Sequence, residues 1–114
     1  SSEGKARLTL LAEVLLEESY PHICVIGHTD NRPLKSSSRF ADNWELSTAR
    51  AVAVVRFFNE ALGIAPEQMT AVGCGQFMPV ADNDTDEGRS MNRRIEIILE
   101  AASPPAATVE IPEL

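Results

Sequence analysis

Basic residues are scarce in this chain: 10 Lys and Arg stand against 17 Asp and Glu, for a formal charge of −7. An acidic surface repels phosphate backbones, which argues against non-specific nucleic-acid binding. Cysteine is nearly absent too. Cys24 and Cys74 are too few for a disulfide framework, and their spacing matches no metal-ligand pattern. Only His22 and His28 carry an imidazole, so His28 has no histidine cluster with which to hold a metal. No apolar run approaches the ~20 residues that cross a bilayer, and no signal-peptide pattern is present. What remains is 114 residues, 44% of them hydrophobic, which suits one core and is too apolar for wholesale disorder.

The few cations are unevenly spread. Lys5 and Arg7 alone precede residue 30, while Arg32, Lys35, Arg39, Arg50, Arg56, Arg89, Arg93 and Arg94 follow it. A patch that attracts anions can form on an acidic body. Equally, these side chains can be solvated helix faces and surface ion pairs worth ~0–1 kcal/mol each.

Periodicity orders the chain as helix, strand, helix, strand, helix, strand. Leu8, Leu11, Ala12 and Leu15 predict an amphipathic helix over 3–19, stopped by Pro21. His22 to Ile26 is a β-branched run without alternation, as expected of a strand covered on both faces. Asp42 with Glu45 forms a capping box that opens a helix running to about Leu62, with Gly63 closing it. Met69–Gly73 reads as a second strand. Asp84-Thr85-Asp86-Glu87 reads as another capping box, opening a short helix to about Arg93, and Arg94–Leu99 as a third strand. Residues 101–114 are Ala- and Pro-rich and form an expected flexible tail, leaving 1–100 as the domain. This is an α/β class, with helices packed on a sheet. The first helix has no strand before it, so a strand is expected upstream of Ser1.

His28-Thr29-Asp30 sits at the carboxyl end of a strand, where α/β sheets present ligand-contacting groups. Asp30 can be a base, a metal ligand or an acceptor for a ligand cation; it can also be a turn aspartate bonded to its own backbone. Asn43, Leu46 and Arg50 share a helical face at i, i+3 and i+7, near a positive helix end that favours a carboxylate. Arg50 can equally form a structural salt bridge to Glu45 or Asp30. Asp82 to Asp86 looks like a calcium loop, but Glu87 and Arg93 occupy the positions that require Gly and Glu, which favours a cap and turn. Ser47 lies inside a helix and Cys24 within a strand, and neither has an adjacent base, so no nucleophile is evident.

Taken together, GHTDNRPL…NWELSTARA and AVGCGQFMPVADNDTDEGRSMNRRIEI resemble the OmpA-like peptidoglycan-binding domain, over residues 3 to about 99. The loop between Asp30 and Asn43, with Phe40 and NWELS, is similar to the flagellar stator (MotB) subgroup rather than to Pal or OmpA. The resemblance implies an OmpA-like α/β sandwich with a small mixed sheet, its first family strand missing here. Cys74 stands where the family often has an aromatic residue, and the family requires neither cysteine; a bridge between them would need an oxidising periplasm and suitable geometry.

The implied ligand is the stem peptide of peptidoglycan, in particular meso-diaminopimelate, whose free end carries an ammonium and a carboxylate. Carried over, the family pattern makes Asp30 and Arg50 the principal pair, with Asn43, Leu46, Arg93, Thr29 and Asn31 in support and Arg94 structural. No cofactor, metal or catalytic residue is implied. The expected role is non-catalytic anchoring of a membrane protein, such as a stator subunit, in the periplasm of a Gram-negative cell, with a homodimer possible. The alternatives are an outer-membrane OmpA/Pal-type protein or secretion-system component, then a cell-wall hydrolase or a protein–protein adaptor.

Overall fold

The computed structural model describes residues 2–17, 22–100 and 107–113. Its elements in chain order are α1 (Ser2–Glu17), β1 (His22–Gly27), α2 (Asn43–Leu62), a single 3-10 turn (Pro66–Gln68), β2 (Met69–Gly73), α3 (Asp86–Asn92) and β3 (Ile95–Glu100). Residues 18–21, with the expected stop at Pro21, lie outside the described residues, as do the side chains of Ala12 and Leu15 and half of the tail. Tail residues 107–113 are exposed and carry no regular structure.

The sheet is mixed, in the order β2-β1-β3. β1 runs parallel to β2, with Ile23 opposite Met69 and Gly27 opposite Gly73. It runs antiparallel to β3, with His22 opposite Glu100 and Gly27 opposite Ile95. β1 is therefore central, and its burial alternates: Ile23, Val25 and Gly27 are buried, Cys24 and Ile26 only half so. The expectation of a strand covered on both faces is corrected here. The core lies on one side of the sheet, where Ile23, Val25, Ala51, Phe58, Ile64 and Met69 pack together with Leu8 and Leu11 of α1 beside them.

α2 begins where the capping signal put it. The Asp42 side chain accepts from the Glu45 amide at 2.9 Å, and the Glu45 carboxylate reaches back to the Ala41 amide at 3.2 Å. Gly63 ends the helix in the left-handed region at φ 72°. α2 crosses β1 at contact distance, because a Cβ on Gly27 would stand 2.1 Å from the carbonyl oxygen of Ser47. The cap of α3 lies one residue later than the sequence suggested. Thr85, not Asp84, accepts from Gly88 N, and Asp84 instead donates its amide to Asp82 Oδ1 at 2.8 Å within the turn.

Candidate functional site

The turn after β1 is tied down from both sides. Thr29 N donates to Gly75 O at 2.9 Å, and His28 N to Arg94 O at 3.0 Å. Thr29 Oγ1 donates to the carbonyl of Asp30 at 2.8 Å. Asp30 is thereby held at the carboxyl end of the central strand, only 7% exposed. Its Oδ1 accepts from the Arg32 amide at 2.9 Å, the turn bond expected of a structural aspartate. Its Oδ2 accepts from Arg93 at 2.7 Å. Burial raises the Asp30 pKa, but the Arg32 amide and the Arg93 guanidinium outweigh it and hold the carboxyl below the ordinary range. A carboxylate has about four lone-pair sites, so two donors leave room for a ligand cation.

The first turn of α2 closes the other side. The buried Asn43 amide donates to Asp30 O at 3.3 Å, Arg32 O at 3.1 Å and Gln76 Oε1 at 3.0 Å. One amide therefore joins the helix to both loops. Ser47, fully buried one turn on, donates to Trp44 O at 3.0 Å and accepts from Gly75 N at 2.9 Å. It is a clamp between helix and turn.

The remaining expected residues are placed less tightly. Leu46 is half-buried on α2, and Asn31 is exposed. Arg50 is exposed two turns along α2 from Asn43, and has no hydrogen bond or ion pair to any of the described residues. The structural alternatives for it are not formed, since Asp30 pairs with Arg93 and Glu45 with the Ala41 amide. Arg94 has the structural partners expected of it: it bonds Glu96 at 2.7 Å and Met78 O at 3.0 Å.

Sequence reasoning passed over Gln76 and Asn92. Asn92 is fully buried, accepts from the amides of Val80 and Ala81 at 2.8 and 3.0 Å, and donates to Ala81 O and Asn83 Oδ1. It fixes the 80–83 loop and, as the last residue of α3, the end of the helix at which Arg93, the Asp30 partner, is the cap. Nothing in composition marks either residue, because their roles come from contacts remote along the chain. Cys24 and Cys74 are free thiols, with Cys24 pushed up by burial and by Glu100 and Cys74 nearby.

Beneath Asp30 lies a second buried group. His28 is 2% exposed, and its Nε2 stands 2.8 Å from Glu96 Oε1 without hydrogen-bond alignment. Burial first, then the Arg94 charge, lowers its pKa, against the opposing pull of Glu96. His28 and Asp30 both bind protons more weakly in the folded chain than in the unfolded one. Their contribution is complete above about pH 6.5, the ordinary value for His28, and shrinks as pH falls through the folded values. Urea midpoints should be flat between about pH 7 and 8, fall by about pH 5, and lose the first step in His28→Asn. A midpoint equally pH-dependent in His28→Asn would remove His28 from the account.

Comparison with known proteins bears on the family and the fold. The profile of the OmpA family matches residues 1–93. Motility protein B of Bacillus subtilis is 44% identical over 78 residues, 68% of this chain but 30% of that protein. The periplasmic domain of Helicobacter pylori MotB superposes with a TM-score of 0.74 at 32% identity, covering 82% of this chain and 59% of that one. The cell wall anchor of the type VI secretion system from Pseudomonas aeruginosa does so at 0.77 and 37%, covering 90% and 69%.

Proposed function

Because the chain belongs to the OmpA family, we propose that it binds peptidoglycan through the diaminopimelate of the stem peptide, cleaving no bond, and so anchors a membrane protein to the cell wall. The carrying observation is Asp30: a buried, ionised carboxylate held rigidly at a sheet end, with acceptor capacity to spare. In this reading Asp30 accepts from the ligand ammonium. Arg50, free of any partner among the described residues, takes the carboxylate with two parallel N–H groups, which Lys cannot reproduce. Arg93 positions Asp30, Asn43 and Thr29 hold the two loops, and Leu46 and Asn31 border the ligand.

Two opposite charges in one site select a zwitterion. A stem peptide with lysine in place of diaminopimelate lacks the carboxylate and leaves Arg50 unpaired. Charge-assisted bonds of ~1.5–3 kcal/mol each suffice for micromolar-scale retention, and repetition on an oligomer such as a homodimer adds avidity.

The resemblance to motility protein B and to the MotB periplasmic domain favours a flagellar stator subunit as the parent protein, with the site in the periplasm. The likeness to the type VI secretion cell wall anchor supports a second reading, wall attachment of a secretion or outer-membrane system by the same chemistry. The test is displacement from purified sacculi. A stem tripeptide ending in meso-diaminopimelate should compete, and the same tripeptide with lysine in its place should need about ten times the concentration. Equal competition by the lysine tripeptide, or release of soluble muropeptides during incubation, defeats the proposal.

A further inference from the structure

Three of the six aromatic residues in the chain, Phe40, Trp44 and Phe77, gather on one surface beside the Asp30 site. Trp44 and Phe77 are 51% and 57% exposed. Their rings stack with centroids 4.8 Å apart and planes 29° from parallel. The stack rests on Gly75, which is left-handed at φ 60° and whose missing Cβ would meet Phe77 at 3.4 Å and Trp44 at 3.5 Å. Large aromatics gain most by burial, so a pair held fixed and half open is a surface prepared for something flat.

Its location follows from the turn chemistry. Asn43 and Gln76 hydrogen-bond to each other in the site, and the next residue after each, Trp44 and Phe77, stacks at the surface. The rings therefore continue the Asp30 site outward. Next to them Phe40, Trp44, Glu45, Thr48 and Ala49 line a depression of about 380 Å³, within the range of small-ligand sites. Glu45 is the one charged residue that lines it, and the Arg39 guanidinium covers one face of the Phe40 ring, 4.8 Å from its centroid. Aromatic faces with a carboxylate and a hydroxyl at the margin suit a neutral ring with an apolar C–H face and a polar rim. Such a ring is a sugar.

We propose that the Trp44–Phe77 stack, with Phe40 across the depression, is a glycan-stacking subsite for the N-acetylated sugars of the polymer whose stem peptide binds at Asp30. This rests on the peptidoglycan reading above. A C–H face of one pyranose lies on the rings, whose negative faces attract the partly positive hydrogens. Hydroxyl or amide N–H groups of the sugar donate to Glu45. The two halves of one ligand thus meet two adjoining surfaces, and the covalent link between sugar and peptide adds their binding energies as a tethered pair.

Trp44 is the only tryptophan, so its emission reports this surface directly. Two separate probes keep the two readings apart: chitotetraose, which has sugar and no peptide, and a meso-diaminopimelate tripeptide, which has no sugar. Chitotetraose should shift Trp44 emission saturably in the wild type, and calorimetry should show about tenfold weaker binding to Trp44→Ala and Phe77→Ala. Trp44→Phe should keep most of the affinity. Asp30→Asn should weaken the tripeptide and leave chitotetraose unchanged. Both ring variants alter exposed side chains, and unchanged urea midpoints will establish that they fold.

Absence of chitotetraose binding at millimolar concentration overturns the subsite, as does equal binding by the wild type and both ring variants. Ring variants that lose tripeptide and keep chitotetraose assign the stack to the peptide instead. Ring variants that turn a wild-type dimer into a monomer without changing chitotetraose affinity assign it to a second copy of the chain. Chitotetraose binding by the rings with no tripeptide binding leaves the subsite standing and defeats the diaminopimelate reading alone.

Discussion

Asp30→Asn should free the domain from sacculi while leaving it folded. The amide oxygen can still accept from the Arg32 amide or from Arg93, which lie 2.9 and 2.7 Å from the two carboxylate oxygens. The charge is what disappears. With it goes the partner of the ligand ammonium, at ~1.5–3 kcal/mol per charge-assisted bond, or about ten- to a hundredfold in affinity. Arg93 is left without its counter-charge, but its side chain is 42% exposed and water can solvate it. The stability loss should therefore stay near ~1 kcal/mol, as for a partly exposed pair. Asp30→Ala should match the binding loss and add to the instability by leaving the Arg32 amide without its acceptor. Cosedimentation with sacculi reads the first effect and urea unfolding the second. Full retention of Asp30→Asn on sacculi would remove Asp30 from the binding site and leave it as a turn residue.

The largest loss of stability is expected from a methyl group. In Gly27→Ala the new carbon would stand 2.1 Å from the Ser47 carbonyl oxygen and 3.0 Å from its carbon. Both atoms are helix backbone, which no rotamer change can move. α2 would have to lift from the sheet, loosening Ala51 and Phe58 from Val25 and Ile23, all of them buried. Overpacking of this kind costs ~1–3 kcal/mol when side chains can yield, and more when backbone must. A loss of about 3 kcal/mol or greater is a large share of the ~5–15 kcal/mol that holds a small domain together. The same shift would move Asn43 and Ser47 away from the loops they bond, so sacculus retention should fall with stability. A wild-type urea midpoint in Gly27→Ala would mean that the helix–sheet spacing is looser than the packing indicates.

The distribution of what could be read early is uneven, and the reasons are physical. The ends of α2 were legible because capping is local: Asp42, Glu45 and Gly63 act within five residues of themselves. The cap of α3 was displaced by one residue because Asp84 and Thr85 are both competent N-caps. Thr85 caps the helix, while Asp84 belongs to the preceding turn, where its amide donates to Asp82. β1 reads as doubly covered but is packed on one side, because Cys24 and Ile26 are apolar on a face that lies away from the core. Residue type does not reveal on how many sides a strand is packed.

The chain alone, through periodicity, caps and ordered motifs, determined the α/β class, the succession of elements, the family, and the position of Asp30 at a strand end. These depend on neighbours close in sequence or on a pattern long enough to be specific. Folding in three dimensions decided that Arg93, sixty-three residues away, neutralises Asp30 while Arg50 stays unpaired among the described residues. It also decided that Asn43 and Gln76 meet and that Trp44 and Phe77 stack above Gly75. Such partnerships depend on the crossing of α2 over the sheet and on the register of β1 with β2 and β3. Both are properties of packing, and no local stretch of residues contains them.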